Sequence, residues 1–263
     1  MTYFMGIDIG SRTTKGVIAE NGELKAHHQL PSGTNYKEAA QKLRGELLAK
    51  AKLSPQDIAC TVATGQGAGN ATFSDQRVGD IRCCARGINS ISPSVRTVID
   101  VQAQSSQMIR LTEDGQVINF VVSEKCAAGS GRFLDVIANV LQIDLKDIGT
   151  LSLKSKNPIT FTISCAVFGE SEVISRIAEG IAREDILAGV HKALANKICT
   201  LVNRVGLEKD CALSGGGGLD IGLIKILERE LGIQLLIPSQ PQIITALGAA
   251  VIAEEAASLA SQP

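Results

Sequence analysis

The chain carries the same hairpin pattern twice, and that duplication constrains its fold more than any other feature. Met5 to Ala19 reads MGIDIGSRTTKGVIA, and Val98 to Leu111 reads VIDVQAQSSQMIRL. Each has an apolar run ending in Ile-Asp, then a small polar segment, then a return to apolar residues. Each then reaches a glycine turn, Glu20-Asn21-Gly22 in the first and Glu113-Asp114-Gly115 in the second. Asn-Gly between apolar runs is a strong hairpin signal. Asp8 and Asp100 stand 92 residues apart, so the repeating unit has the size of a domain and not of a solenoid repeat. Strand-like runs alternate with helical patterns in both halves. The expectation is an α/β fold of two similar halves around a cleft, residues 1–92 and 93–263.

Local patterns fill in the rest. Tyr36 to Ala51 reads as a helix with Leu43, Leu47 and Leu48 turned inward. Ser54-Pro55-Gln56-Asp57 reads as a turn into a short strand, IACTVATG. Cys83 and Cys84 adjoin an Arg-rich turn, IRCCARGI. Gln242 to Ala257 reads as a closing helix whose Ala246, Gly248, Ala249 and Ala250 allow close packing. Apolar residues make up 44% and charged residues 20%, which suits a globular chain with a sizeable core. The net charge of -1 gives no reason to expect a nucleic acid or an anionic membrane as partner. No apolar run approaches the roughly 18–20 residues of a membrane span. The N-terminus enters a strand-like run directly, so no leader is expected and the location should be cytoplasmic.

The first hairpin has the chemistry of a phosphate loop. A carboxylate at a strand end, Asp8, can hold Mg²⁺ through water, because hard cations take oxygen ligands. Gly10 lets the backbone come close. Ser11, Arg12, Thr13, Thr14 and Lys15 then offer hydroxyls, N–H groups and cations to phosphate oxygens. The Gly-x-x-x-x-Gly-Lys pattern of a Walker loop is absent. A third segment, CALSGGGGLDIGLIKILERELG (Cys211 to Gly232), is a short strand, then Ser214 and glycines, then a helix. Bare backbone at Gly215, Gly216 and Gly217 would let an adenosine lie against the chain, with a helix N-terminus favouring phosphate nearby. A flexible loop before a surface helix would have the same composition.

Seven cysteines are many for a cytosolic chain, and none forms a Cys-x-x-Cys pair. Cys126 lies in KCAAGSGRFLDVIANVLQI, just before a helical pattern with Phe133, Ile137 and Leu141 on one face. Cys165 lies in ITFTISCAVFGESEVISRIAEGI, where a strand-like run gives way to a helix with Val173, Ile177 and Ile181 on one face. A helix N-terminus stabilises a thiolate or an anionic thiolate-ligated cluster. Two such cysteines per chain would make half of a four-cysteine set, completed by a two-fold dimer. Two buried structural thiols fit the residues as well. Cys60, Cys199 and Cys211 sit in apolar runs and read as small hydrophobes, and His191, in ILAGVHKALANKI, reads as structural.

Two halves with these hairpins resemble the actin, hexokinase and Hsp70 superfamily, with its ribonuclease H-like halves around ATP. The cysteine segments, with Gly6 to Ser11 and Ala246 to Ala250, resemble more narrowly the activators of 2-hydroxyacyl-CoA dehydratases and the ATP-binding subunits of benzoyl-CoA reductase. The resemblance covers essentially the whole chain. It implies ATP or ADP with Mg²⁺, and a [4Fe-4S] cluster shared by two subunits with Cys126 and Cys165 as ligands. It implies ATP-coupled, low-potential electron transfer to acyl-CoA dehydratase or reductase catalytic subunits. It also implies subunit contacts near Ala127 to Arg132 and Ala166 to Glu170. Asp8, Asp100 and Gln104 become the candidates for catalysis.

The family's second phosphate loop reads Asp-Ile-Gly-Gly-Gln-Asp-x-Lys. This chain has Asp100-Val101-Gln102-Ala103-Gln104-Ser105-Ser106-Gln107. Both glycines, the second Asp and the Lys are replaced. That loss favours a degenerate subunit of a benzoyl-CoA reductase, paired with an unlike paralogue, over a homodimeric dehydratase activator. A nucleotide sensor or a small-molecule kinase of the same fold are the readings from other classes.

Overall fold

The computed structural model describes residues 2–123, 129–161 and 166–260. The chain divides into two compact units. One comprises residues 1–96, 111–118 and 242–263, and the other residues 97–110 and 119–241.

The first unit is built on β1 (Tyr3–Ile9), β2 (Thr13–Glu20), β3 (Glu23–Pro31), β4 (Ile58–Thr64) and β5 (Gln76–Arg77), in the sheet order β3-β2-β1-β4-β5. β1 runs antiparallel to β2 and parallel to β4. Asn21 and Gly22 both have positive φ, 51° and 75°, the backbone of a tight β2–β3 hairpin turn. Helix α1 (Tyr36–Ala51) is capped by the Asn35 side chain, which accepts from the Glu38 N–H, and it buries Leu43, Leu47 and Leu48 as its spacing predicts. The segment IRCCARGI is the heart of a helix, α2 (Asp80–Ile91), and not a turn; Cys83, Cys84 and Ile88 form its buried stripe.

The second unit repeats the plan. β6 (Thr97–Val101), β7 (Ser106–Leu111), β8 (Val117–Val122), β9 (Cys211–Gly215) and β10 (Leu235–Leu236) are ordered β10-β9-β6-β7-β8. Matching strands therefore take matching places: β6 runs antiparallel to β7 and parallel to β9, as β1 does to β2 and β4. β6 is buried at every residue, as a central strand of β-branched residues should be. Among the described residues this unit also has the helices α3 (Gly131–Leu141), α4 (Ile148–Ser152), α5 (Ala166–Ala178), α6 (Arg183–Val205) and α7 (Ile221–Leu231). Phe133, Ile137 and Leu141 of α3 are buried as expected. On α5 the expected stripe is interrupted: Val173 is buried, whereas Ile177 is exposed.

The closing helix α8 (Ile244–Ala260) departs from the sequence expectation in placement. It follows the second unit's residues in the chain but packs in the first unit, against β1, β2, β4 and α2. The expected small residues explain the fit. A Cβ at Gly248 would stand 1.7 Å from the Cys83 carbonyl oxygen of α2, and one at Gly6 of β1 would stand 2.0 Å from that of Ala246. The stretch Pro241–Leu259 is also long and apolar enough to cross a membrane, contrary to the expectation of no such run. Here that apolarity serves the core, where Ala246, Ala249, Ala250 and Ala253 are fully buried.

Candidate functional site

The two hairpins close on the same backbone hydrogen bond at their turns. In the first unit the Gly10 N–H donates to the Thr13 carbonyl at 3.1 Å; in the second the Gln102 N–H donates to the Ser105 carbonyl at 2.9 Å. Asp8 pairs across the ladder with Lys15, and Asp100 with Gln107. The 92-residue offset thus holds for both strands and the turn between them. Arg12 and Gln104 occupy equivalent places at the exposed loop tips.

The carboxylates differ in their company. Lys15 Nζ lies 2.9 Å from Asp8 Oδ2. Asp100 accepts instead from neutral donors: Ser214 Oγ at 2.9 Å on Oδ1 and Gln102 Nε2 at 2.7 Å on Oδ2. Ser214 and Gly215 are the register partners of Asp100 and Val101 on β9, so the glycine-rich segment lies beside the second loop.

Sequence reasoning missed the first unit's counterpart of that segment. β4 pairs Thr64 with Asp8, as β9 pairs Ser214 with Asp100. The next residues, Gly65 and Gly215, have φ of 84° and 75°, and a Cβ on either would press on Asp8 Oδ1 at 2.4 Å or Asp100 Oδ1 at 2.7 Å. Only glycine meets both demands. Each glycine leads into a short 3-10 turn, Ala68–Asn70 or Gly216–Leu219. The available signal was a strand followed by Gly-x-Gly, in Thr64-Gly65-Gln66-Gly67.

Hydroxyl clasps behind the loops were missed as well. Ser32 Oγ donates to the Gly10 carbonyl at 2.7 Å and lies 2.8 Å from Thr14 Oγ1. In the second unit Ser123 Oγ accepts the Ser106 N–H at 2.9 Å, and Ser106 Oγ donates to the Gly129 carbonyl at 2.7 Å. Ser106 therefore holds the chain on both sides of residues 124–128. Cys126 and Cys165, the expected cluster ligands, lie outside the described residues. α5 begins at Ala166, directly after Cys165 in sequence. The N-terminus of α3 has its own partners in the second loop: the Gly131 and Arg132 N–H groups donate to the Gln102 and Ala103 carbonyls, each at 2.9 Å. These two amides are committed to the loop, a role that Cys126's position in sequence did not suggest.

The glycine segment ends at Asp220, whose Oδ1 accepts from the Gly222 and Leu223 N–H groups at 2.9 and 3.1 Å and so caps α7. Its Oδ2 lies 2.9 Å from His191 Nε2. Burial alone would raise the carboxyl's pKa; the His191 hydrogen bond and the two N–H donors outweigh it and hold it below the usual range. His191, 1% exposed, is structural as expected, steadying the end of the glycine segment from α6.

Four of the described thiols are held in their neutral form. Burial pushes Cys83 and Cys211 up to about 12 and Cys199 up to about 11, and raises Cys60. Among the described residues no three His, Cys, Asp or Glu side chains gather to bind a metal. Each hairpin carries one carboxylate at its strand end, oxygen chemistry of the kind that suits a hydrated divalent cation.

Known proteins resemble the chain over nearly its whole length. The family model for the BadF/BadG/BcrA/BcrD ATPase family matches residues 5–253. The 2-hydroxyisocaproyl-CoA dehydratase activator of Clostridioides difficile is 39% identical over 95% of this chain and 94% of its own length. The solved structure of the activator of the 2-hydroxyisocaproyl-CoA dehydratase from Clostridium difficile, with bound ADPNP, superposes with a TM-score of 0.93, at 37% identity, covering 98% of this chain and 97% of that one. A benzoyl-CoA reductase component of Thauera aromatica is 33% identical over 88% of this chain and 84% of its length. The two sheets are those of actin- and hexokinase-like ATPases.

Proposed function

The chain belongs to the BadF/BadG/BcrA/BcrD ATPase family, and from that premise we propose that it is the ATP-driven, electron-donating activator of a 2-hydroxyacyl-CoA dehydratase. The observation that carries the reading is likeness over the full length to the activator from Clostridioides difficile, at 39% identity against 33% for the reductase component. This replaces the sequence-based preference for a degenerate reductase subunit. That preference rested on the altered second loop, but the hairpin there keeps its backbone, with the Gln102 N–H to Ser105 bond matching that of Gly10 to Thr13.

Asp8 and Asp100 would orient the waters of Mg²⁺, and Gly10 to Lys15 would bind phosphate oxygens. Ser214, with Gly215 to Gly217, would receive the adenosine. Gln104, at the exposed tip of the second loop, would reach toward the phosphates. Cys126 and Cys165 would be this chain's two ligands to a [4Fe-4S] cluster shared with a second copy, and such a cluster supplies a one-electron carrier of low potential. Cys60 and Cys83 are packed in one apolar cluster of the first unit and Cys211 in the core of the second, which supports leaving the ligand role to Cys126 and Cys165. The partner would be a cytoplasmic acyl-CoA dehydratase, whose substrate binds to the partner and not here.

The test is iron and acid-labile sulfide on anaerobically purified protein, expressed alone. About two irons per chain, lost in air, would signal one four-iron cluster per two copies. ATP-dependent reduction of a dehydratase component should accompany it. Iron appearing only on co-expression with an unlike paralogue would restore the reductase reading.

A further inference from the structure

Asp100 is 1% exposed, and both its oxygens are taken by the chain, Oδ1 by Ser214 and Oδ2 by Gln102 Nε2 at 2.7 Å. The second donor comes from within the phosphate loop, two residues on. At the matching place in the first hairpin stands Gly10, with no side chain to make such a bond. Asp8 there faces a cation, Lys15, at 2.9 Å. A carboxylate that orients the waters of a divalent cation must present an oxygen to them.

We propose that Gln102 is a latch on the second phosphate loop: its amide occupies the Asp100 oxygen that hydrated Mg²⁺ would use, and Mg²⁺–nucleotide engages Asp100 only when that side chain swings away. This rests on the reading that the chain binds ATP with Mg²⁺. Opening the latch requires movement of one side chain only. The Gln102 backbone is fixed on both sides, its N–H by Ser105 and its carbonyl by the Gly131 N–H, both at 2.9 Å. An amide donor on a carboxylate makes a charge-assisted bond. A nucleotide that needs the open state loses apparent affinity in proportion to the open fraction. Gln102 acts through Asp100, so it is a positioning residue that sets the strength of the metal-dependent part of nucleotide binding.

The experiment is calorimetric titration of the full chain with ADP, in Mg²⁺ and in EDTA, for the wild type, Gln102→Ala and Gln102→Met. ATP turnover is measured alongside, and thermal melts verify folding. Methionine keeps the bulk of glutamine but cannot donate. Both variants should bind Mg²⁺–ADP about tenfold more tightly than the wild type, the scale of a hydrogen bond to a charged group. Affinity in EDTA should stay unchanged, and turnover should rise. An equal Mg²⁺ effect in all three proteins overturns the latch and leaves the nucleotide reading standing. So does a gain in Gln102→Ala alone, which would assign the effect to bulk. Failure of all three to bind ADP with or without Mg²⁺ removes the nucleotide reading and the latch with it.

Discussion

At the scale of single residues, Asp220 shows how one carboxylate can serve two elements. It caps α7 with one oxygen and meets His191 of α6 with the other. Replacing it with Ala removes the cap and leaves a buried imidazole without its partner; a loss of about 3 kcal/mol is expected in chemical denaturation. Its pKa in the folded chain lies below the ordinary aspartate value of 3.8. The stability it adds is therefore complete above its unfolded pKa and is lost as pH falls through the folded one. The melting temperature of the wild type should exceed that of Asp220→Asn by a steady margin above about pH 5, and the gap should narrow as pH falls below 3.8. The role of His191 was legible in the sequence, since a lone histidine within an apolar helix has few other uses. Its partner was not, because the two residues are 29 positions apart and meet only when α6 and α7 pack. The same holds for Gln102, whose sequence position signals bulk in a phosphate loop, whereas its bond to Asp100 depends on a rotamer.

At the scale of elements, the strand–loop–strand hairpins were legible because period-two apolarity, an Asn-Gly turn and a strand-end Asp are local signals. Gly65 was harder to find. Its constraint comes from the neighbouring strand, where Asp8 and Ile9 leave no room for a Cβ. Gly65→Val is expected to lower stability by about 3 kcal/mol or more, from a strained positive φ and a clash with Asp8, and to weaken nucleotide binding; a urea denaturation curve and an ADP titration would show both. The helix crossing of α2 and α8 is similarly unforgiving. Gly248→Val drives side-chain atoms into the Cys83 carbonyl and should destabilise the first unit by about 3 kcal/mol. Such a variant should show faster amide exchange along β1 while β6 stays protected.

At the scale of the whole molecule, the chain returns to its beginning: α8 completes the unit that β1 starts. Local periodicity predicts the helix but cannot say which sheet it will cover, so a boundary drawn along the sequence misplaces it. Truncation after Pro241 should unfold the first unit and spare the core of Ile99, Phe133, Ile186 and Leu213, a split that two-dimensional NMR would display. The duplication has a further consequence. Because the turns 10–13 and 102–105 have equal length and close on the same hydrogen bond, one is a ready-made replacement part for the other. Gly10-Ser11-Arg12-Thr13 could be grafted over Gln102-Ala103-Gln104-Ser105 without inserting or deleting a residue, so the molecule holds within itself the template for rewriting its own altered half.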